Sequence, residues 1–385
     1  MSISGFVDSR FASIEPLFAE IVSSQRQGGS GFSAFVDGHC VVDLVGGEAR
    51  PNIEWDANTL SLIFSCTKGF VSVLMGILVD RGLCDPESPV ATYWPEFARV
   101  SENLSVRELL EHRAGLSAVR ADLSLEEVLA GGPVLDALLE QKPLWEPGTG
   151  YAYHALTFGH LVGELIRRIT GTTAGEFFAA ELAEPLGIEA WIGLPENENE
   201  RVAEFSSAIP FVANGAPVGS NDYWAERALT FGNAFPIDHI GKPGLGFNNP
   251  SVQQAELPGA NGITTARGIA TIWSSVVAET NGQRTLTDDT ISMMTERRVS
   301  GPSVWGEAGP WWDRGFGVML ATPGKPELLS PTSFGHDGLG GQAGWADVEH
   351  RASVGFVTNN LVTGAHEHDR WIALVAEVRR ILEND

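Results

Sequence analysis

The sequence predicts an α/β protein of the α+β kind, with one antiparallel sheet flanked by helices and an all-helical domain inserted in the middle of the chain. Three observations carry this expectation. Short β-prone runs occur near the N-terminus and again after residue 315. A helical pattern with no clear strand fills 85 to about 187. Late strands must pair with something, and the early hairpin is the available partner. The expected division is a discontinuous sheet domain, 1–84 with 245–385, and a helical insert with a long loop, 85–244.

The elements follow in order. Phe6, Val7, Phe11, Ile14, Leu17, Phe18, Ile21 and Val22 recur at three- and four-residue spacing, which predicts an amphipathic helix ending before Gly28-Gly29. Two β-prone runs, 32–36 and 40–45, flank Asp37-Gly38, a hairpin signal. Residues 60–64 lead through Ser65-Cys66-Thr67-Lys68 into an apolar run, 69–79, too long for one strand and read as a buried helix. Ser105-Val106-Arg107-Glu108, Ser124-Leu125-Glu126-Glu127 and Thr173-Ala174-Gly175-Glu176 read as capping boxes, each opening a helix. Between the last two, a periodic run over 153–170 stops at Gly171. Residues 195–258 are rich in Gly, Pro and Asn with weak periodicity, as in the lid or wall of a binding site. A helix over 264–279, strands over 315–321, 342–347 and 352–358, and an amphipathic helix over 369–383 complete the chain.

Composition excludes several functions. An apolar fraction of 43% and a charged fraction of 19% suit a large buried core. The 49 acidic against 25 basic residues leave a net charge of −24, which repels nucleic acid and anionic membranes. No uncharged apolar run reaches the roughly 18 residues a membrane span needs. The first residues lack the basic-then-apolar order of a signal peptide, so a cytoplasmic protein is expected. Cys40, Cys66 and Cys84 are odd in number and lack metal-ligand spacing, arguing against a disulfide framework or a zinc site.

The chemistry centres on Ser65-Cys66-Thr67-Lys68. Residues three apart share a helix face, so the Ser65 hydroxyl and Lys68 amine meet near the helix N-terminus. A serine hydroxyl needs a base, and an amine serves as one only if burial lowers its pKa from about 10.4. Read blandly, Ser65 is a helix cap and Lys68 reaches for solvent. Cys66, a rival nucleophile, points about 100° away and reads as packed. Tyr153 follows the turn Glu146-Pro147-Gly148 at the head of a helix, and His336 adjoins a glycine-rich stretch, Gly338 to Gly341. His366-Glu367-His368-Asp369 reads as a solvated helix start rather than a metal site, because consecutive ligands diverge.

With these motifs in order, the chain resembles the serine β-lactamase and penicillin-binding-protein superfamily, and within it the β-lactamase-type esterases, the family VIII carboxylesterases. Ser65 to Lys68 matches S-x-x-K, and Leu109-Leu110-Glu111-His112-Arg113-Ala114-Gly115-Leu116 is similar to L-L-x-H-x-S-G-L. Tyr153-His154-Ala155 stands at Y-x-N, Gly259 to Arg267 is similar to a family helix start, and His336-Asp337-Gly338 stands at K-T-G. The resemblance implies a β-lactamase-like fold, with Ser65 as nucleophile and Lys68 and Tyr153 sharing the proton transfers. It further implies an oxyanion hole from the Ser65 and Leu339 amides, substrate contacts at His336 and Gly338, and neither metal nor cofactor. His112 reads as structural. The lost K-T-G lysine and Y-x-N asparagine favour a neutral small-molecule ester of short or medium chain over a penicillin. Alternatives are an amide hydrolase, acyltransferase or weak β-lactamase on the same fold, or a binding protein that keeps the fold without the chemistry. The G-x-S-x-G elbow of α/β-hydrolases does not occur.

Overall fold

The structure is a computed structural model that describes residues 2–25, 28–207, 211–213, 215–306, 309 and 311–384. Its strands, in chain order, are β1 (Ile3–Val7), β2 (Gly29–Val36), β3 (His39–Arg50), β4 (Ile53–Glu54), β5 (Ser61–Leu62), β6 (Ala190–Ile192), β7 (Ser206–Ser207) and β8 (Gly262–Thr264). After these come β9 (Asp313–Arg314), β10 (Met319–Leu320), β11 (Ser333–Gly338), β12 (Gln342–Asp347), β13 (Ala352–Thr358) and β14 (Asn360–Leu361). The main sheet runs β1-β3-β2-β13-β12-β11-β10-β9, antiparallel throughout, with β4 on β3. Its two halves come from opposite ends of the chain and join where β2 pairs β13, Phe35 against Ser353.

Asp37 and Gly38 both take positive φ, +48 and +80, the geometry that matches a tight hairpin to strand twist. One sheet face carries Phe32, Leu44, Trp345, Val354 and Phe356, which pack under α1 (Ile14–Ser24) and the terminal helix Asp369–Leu382. On the opposite face Gly344 and Gly355 lie against the helix Ala266–Val277. A Cβ at Gly344 would stand 2.6 Å from Ile269 Cγ2, and one at Gly355 would stand 2.3 Å from the Ala266 carbonyl. Glycine there lets the helix approach the sheet closely. Beyond it, α2 (Cys66–Asp80) is buried nearly all round, with Phe70 stacked on Phe178 at 5.8 Å.

The three capping boxes form, at Ser105, Ser124 and Thr173. Four expectations shift. The first helix begins at Ile14, and Phe6 and Val7 belong to an edge strand, because Gly5 sits against the Asp43 carbonyl and Asp8 caps a short turn. Residues 315–321 are interrupted by a loop at Gly317 that docks on Ser72 of α2, leaving one short strand, β10, which pairs with β9 just before it. His336 lies on a strand, β11, which ends at Gly338, where the glycine-rich stretch turns away. Tyr153 precedes its helix, which runs Thr157–Thr170. The 85–244 stretch is predominantly helical and also carries β6 and β7, which pair β8 and β14.

Candidate active site

The turn before α2 is pinned from both sides. The Ile63 amide donates to the Gly262 carbonyl at 2.8 Å. Thr67 Oγ1 donates to the Phe64 carbonyl at 2.6 Å and accepts from the Gly262 amide at 2.8 Å. These bonds hold Phe64 at φ +46, a left-handed conformation costing a bulky residue about 1–3 kcal/mol. Ser65 follows in the N-cap position, yet its hydroxyl caps nothing. It is left for Lys68.

Lys68 is 0% exposed. Its amine contacts Ser65 Oγ at 3.1 Å and donates to the carbonyls of Ala155 at 2.6 Å and Gly259 at 2.5 Å. Burial pushes its pKa well below the usual lysine range and the charge of Arg314 pushes the same way, against the opposing pull of Asp337. Ala155 occupies the asparagine place of Y-x-N, and it is its main chain that meets the lysine.

Tyr153 lies against this amine, with Lys68 Nζ 4.9 Å from the ring centroid. Burial pushes the phenol pKa up, opposed by Arg314 and by the adjoining Ser65 hydroxyl. The ring is held by His112, 5.0 Å away, whose own backbone is left-handed at φ +62. His112 Nδ1 accepts from the His154 amide at 3.1 Å, and His154 Nε2 accepts from the Leu116 amide at 3.2 Å. The Leu109 to Leu116 segment therefore buttresses the tyrosine. Both histidines are buried and held neutral, His154 at a pKa of about 4.

β11 meets the Ser65 turn end-on. A Cβ at Gly338 would stand 2.4 Å from the Ile63 carbonyl, so the close approach requires glycine. Among the described residues neither the Ser65 nor the Leu339 amide donates a hydrogen bond to the protein. The Gly340 amide is taken by Glu367 Oε1 at 2.8 Å, a carboxyl that burial raises to about 7. His336 is 0% exposed, its ring 6.1 Å from that of Tyr153 and its Nδ1 2.7 Å from the Asp337 carbonyl. Its Nε2 has no partner among the described residues.

Cys66 is buried with its Sγ 3.3 Å from the His336 carbonyl, and burial pushes its thiol well above the usual range. His366 pairs with Asp369 at 2.8 Å, and His368 Nε2 lies 3.5 Å from Asp337. Among the described residues no group of three or more His, Cys, Asp and Glu side chains is arranged to hold a metal. Of the middle aromatics, Phe235 and Phe247 stack on each other at 5.3 Å, and Phe247 meets Phe64 at 5.1 Å, next to Ser65. Phe231 packs on His160, and Trp224 lies under Arg120. Sequence reasoning missed Arg314, whose guanidinium carbon sits 4.8 Å from the Tyr153 ring centroid. No motif marks it, since β9 is two residues long.

Comparison with known proteins agrees with this geometry. The Beta-lactamase family model matches residues 14–377. "Esterase/beta-lactamase LipL" of Mycobacterium tuberculosis is 32% identical over 378 residues, covering 94% of this chain and 84% of the relative. A crystal structure of a family VIII carboxylesterase superposes with a TM-score of 0.85 at 31% identity, covering 99% of this chain and 100% of its own. EstA from Arthrobacter nitroguajacolicus Rue61a gives 0.84 at 30% identity, covering 100% and 99%. This chain belongs to the Beta-lactamase family, on the branch of that serine-hydrolase fold where esterases occur.

Proposed function

We propose that the chain is a carboxylesterase that hydrolyses short- to medium-chain esters through an acyl-enzyme on Ser65. The observation that carries this is the environment of the Lys68 nitrogen. Burial disfavours the ammonium form, and once the amine is neutral its two N–H groups serve the Ala155 and Gly259 carbonyls and its lone pair is free for Ser65 Oγ, 3.1 Å away. A neutral amine in that position is a base for the serine.

As Ser65 Oγ bonds to the ester carbonyl carbon, its proton passes to Lys68 Nζ. Negative charge develops on the carbonyl oxygen, where the unengaged Ser65 and Leu339 amides receive it. When the tetrahedral intermediate collapses, the C–O bond to the alcohol breaks and the departing oxygen takes the Tyr153 proton. The raised phenol pKa keeps that proton available near pH 7. Lys68 then returns its proton to Tyr153. In deacylation water attacks the acyl carbon, gives its proton to Lys68, and Ser65 leaves and is reprotonated. His336 and Gly338 border this site, and the Phe64, Phe235 and Phe247 cluster supports an apolar wall for the acyl chain.

Hydrolysis of 4-nitrophenyl butyrate tests the proposal. The wild type is expected to be active, and a folded Ser65→Ala variant slower by about 10³-fold or more. Equal rates would remove Ser65 from the mechanism. β-Lactam hydrolysis on the same acyl-enzyme is a second reading, favoured by the esterase/beta-lactamase relative. Nitrocefin turnover matching ester turnover would establish it. The three free cysteines suit a reducing compartment, and the cytoplasm is the proposed location.

A further inference from the structure

Arg314 is 8% exposed, and its backbone is fixed by bonds to Arg298 and Val299. Across the sheet it pairs with Met319, which in turn pairs with Gly335, the neighbour of His336. Its guanidinium lies against the Tyr153 ring. Among the described residues no carboxylate stands within ion-pair distance of it and its side chain donates no hydrogen bond, while the neighbouring Arg297 pairs with Asp313. Nη1 is buried with no acceptor among the described residues. Contact with the face of an aromatic ring satisfies the charge in part and none of the N–H donors.

Buried arginines are ordinarily paired, and one left unpaired destabilises the fold. Nearby groups do not compensate. Lys68, His112 and His336 are each driven towards their neutral forms partly by this charge. Asp337 is turned to His336 Nδ1 at 3.8 Å and to His368 at 3.5 Å. A planar fork of unsatisfied donors beside the reacting residues matches one kind of acceptor best, a carboxylate bound through two parallel hydrogen bonds.

We propose that Arg314 is the binding site for a carboxylate carried by the substrate, so that the preferred esters are half-esters of dicarboxylic acids or esters of carboxylate-bearing alcohols. The proposal rests on the esterase reading of Ser65 and changes the expectation drawn from the K-T-G position. His336 is a poor anchor for an anion, but the missing positive charge reaches the site from β9.

Three esters separate the possibilities: 4-nitrophenyl butyrate, neutral; mono-4-nitrophenyl glutarate, with the carboxylate on the acyl side; and 3-butyryloxybenzoate, with it on the leaving side. They are compared in the wild type, Arg314→Lys and Arg314→Met, with folding checked by thermal melting. The wild type is expected to favour one anionic ester over the neutral one in kcat/KM by about tenfold or more, mostly through KM. The arm that shows the preference identifies the side of the ester that carries the charge. Arg314→Lys, which keeps the charge and loses the fork, should retain part of that ratio, and Arg314→Met should bring it to about one. If the wild type shows no preference for either anionic ester, or if Arg314→Met slows all three by the same factor, the proposal is wrong. Calorimetry with glutarate gives a readout independent of turnover. Binding in the wild type that Arg314→Met abolishes supports the anchor even if no ester is hydrolysed, in which case the esterase reading alone fails. No binding in the wild type overturns the anchor.

Discussion

An amine moved from water to a fully buried position gives up its proton more easily, because carbonyl oxygens replace only part of the hydration of the ammonium. At Lys68 that shift makes a base, and it also makes the folded state pH-dependent. Its folded pKa is depressed below the unfolded value of about 10.4, so between the two the unfolded chain holds one more proton. Stability from this site therefore rises with pH and is lost as pH falls. Lys68→Met lacks the term. The stability difference, variant minus wild type, is expected to shrink between pH 7 and 9, by at most about 1.4 kcal/mol per pH unit. Urea melts of both proteins at the two pH values measure it, and a pH-independent difference would mean that Lys68 is protonated in the fold. The same variant should lose hydrolysis by about 10²-fold or more, as expected when a general base is removed.

The elements owe their accuracy to different things. Gly338 shows how little slack there is where β11 abuts the Ser65 turn. An added Cβ meets the Ile63 carbonyl at 2.4 Å and Gln342 Cβ at 2.8 Å, so the strand end must move away from the turn. Gly338→Ala is expected to cost about 1–3 kcal/mol of stability. It should cost more in rate, about 10²-fold in kcat, because a displacement near 1 Å misaligns Leu339 with Ser65. Unchanged kcat in a variant with a lowered melting temperature would dissociate that strand end from the chemistry. This strand was also the hardest element to see in advance. Glycines at 335, 338, 340 and 341 erase the alternation by which a strand is recognised, whereas β12 and β13 were visible because Trp345, Val354 and Phe356 alternate with small residues. β1 misled for the opposite reason. Phe6 and Val7 fall in phase with Phe11 and Ile14, although Gly5 and Asp8 break the helix between them. The Ser65 and Lys68 pairing was readable because it is local, three residues apart on one helix. Arg314 and the carbonyls of Ala155 and Gly259 were not, since each reaches the site by tertiary packing.

For the whole molecule, the decisive feature is that the sheet closes only when both ends of the chain are present. β2 and β13 are central neighbours, and Ser33 pairs with Gly355 more than 300 residues away in sequence. Without β12 and β13, β2 would be left with an unpaired inner edge and the helix Ala266–Val277 would keep only β2 of the three strands it covers. A chain ending at residue 338 should therefore fail to fold, with no cooperative melt and rapid proteolysis. The opposite edge behaves differently. Among the described residues β1 pairs only with β3, and Phe6 is 53% exposed, so deletion of residues 1–7 removes an edge strand and the partial burial of Ile3 and Val7. That deletion is expected to cost about 1–4 kcal/mol, a loss that a domain of this size can absorb while keeping cooperative unfolding and hydrolysis. Urea melts and the 4-nitrophenyl butyrate assay on both truncations decide the matter. An active, cooperatively melting chain ending at residue 338 would show that the N-terminal half of the sheet and the helices around Ser65 fold without their partner strands.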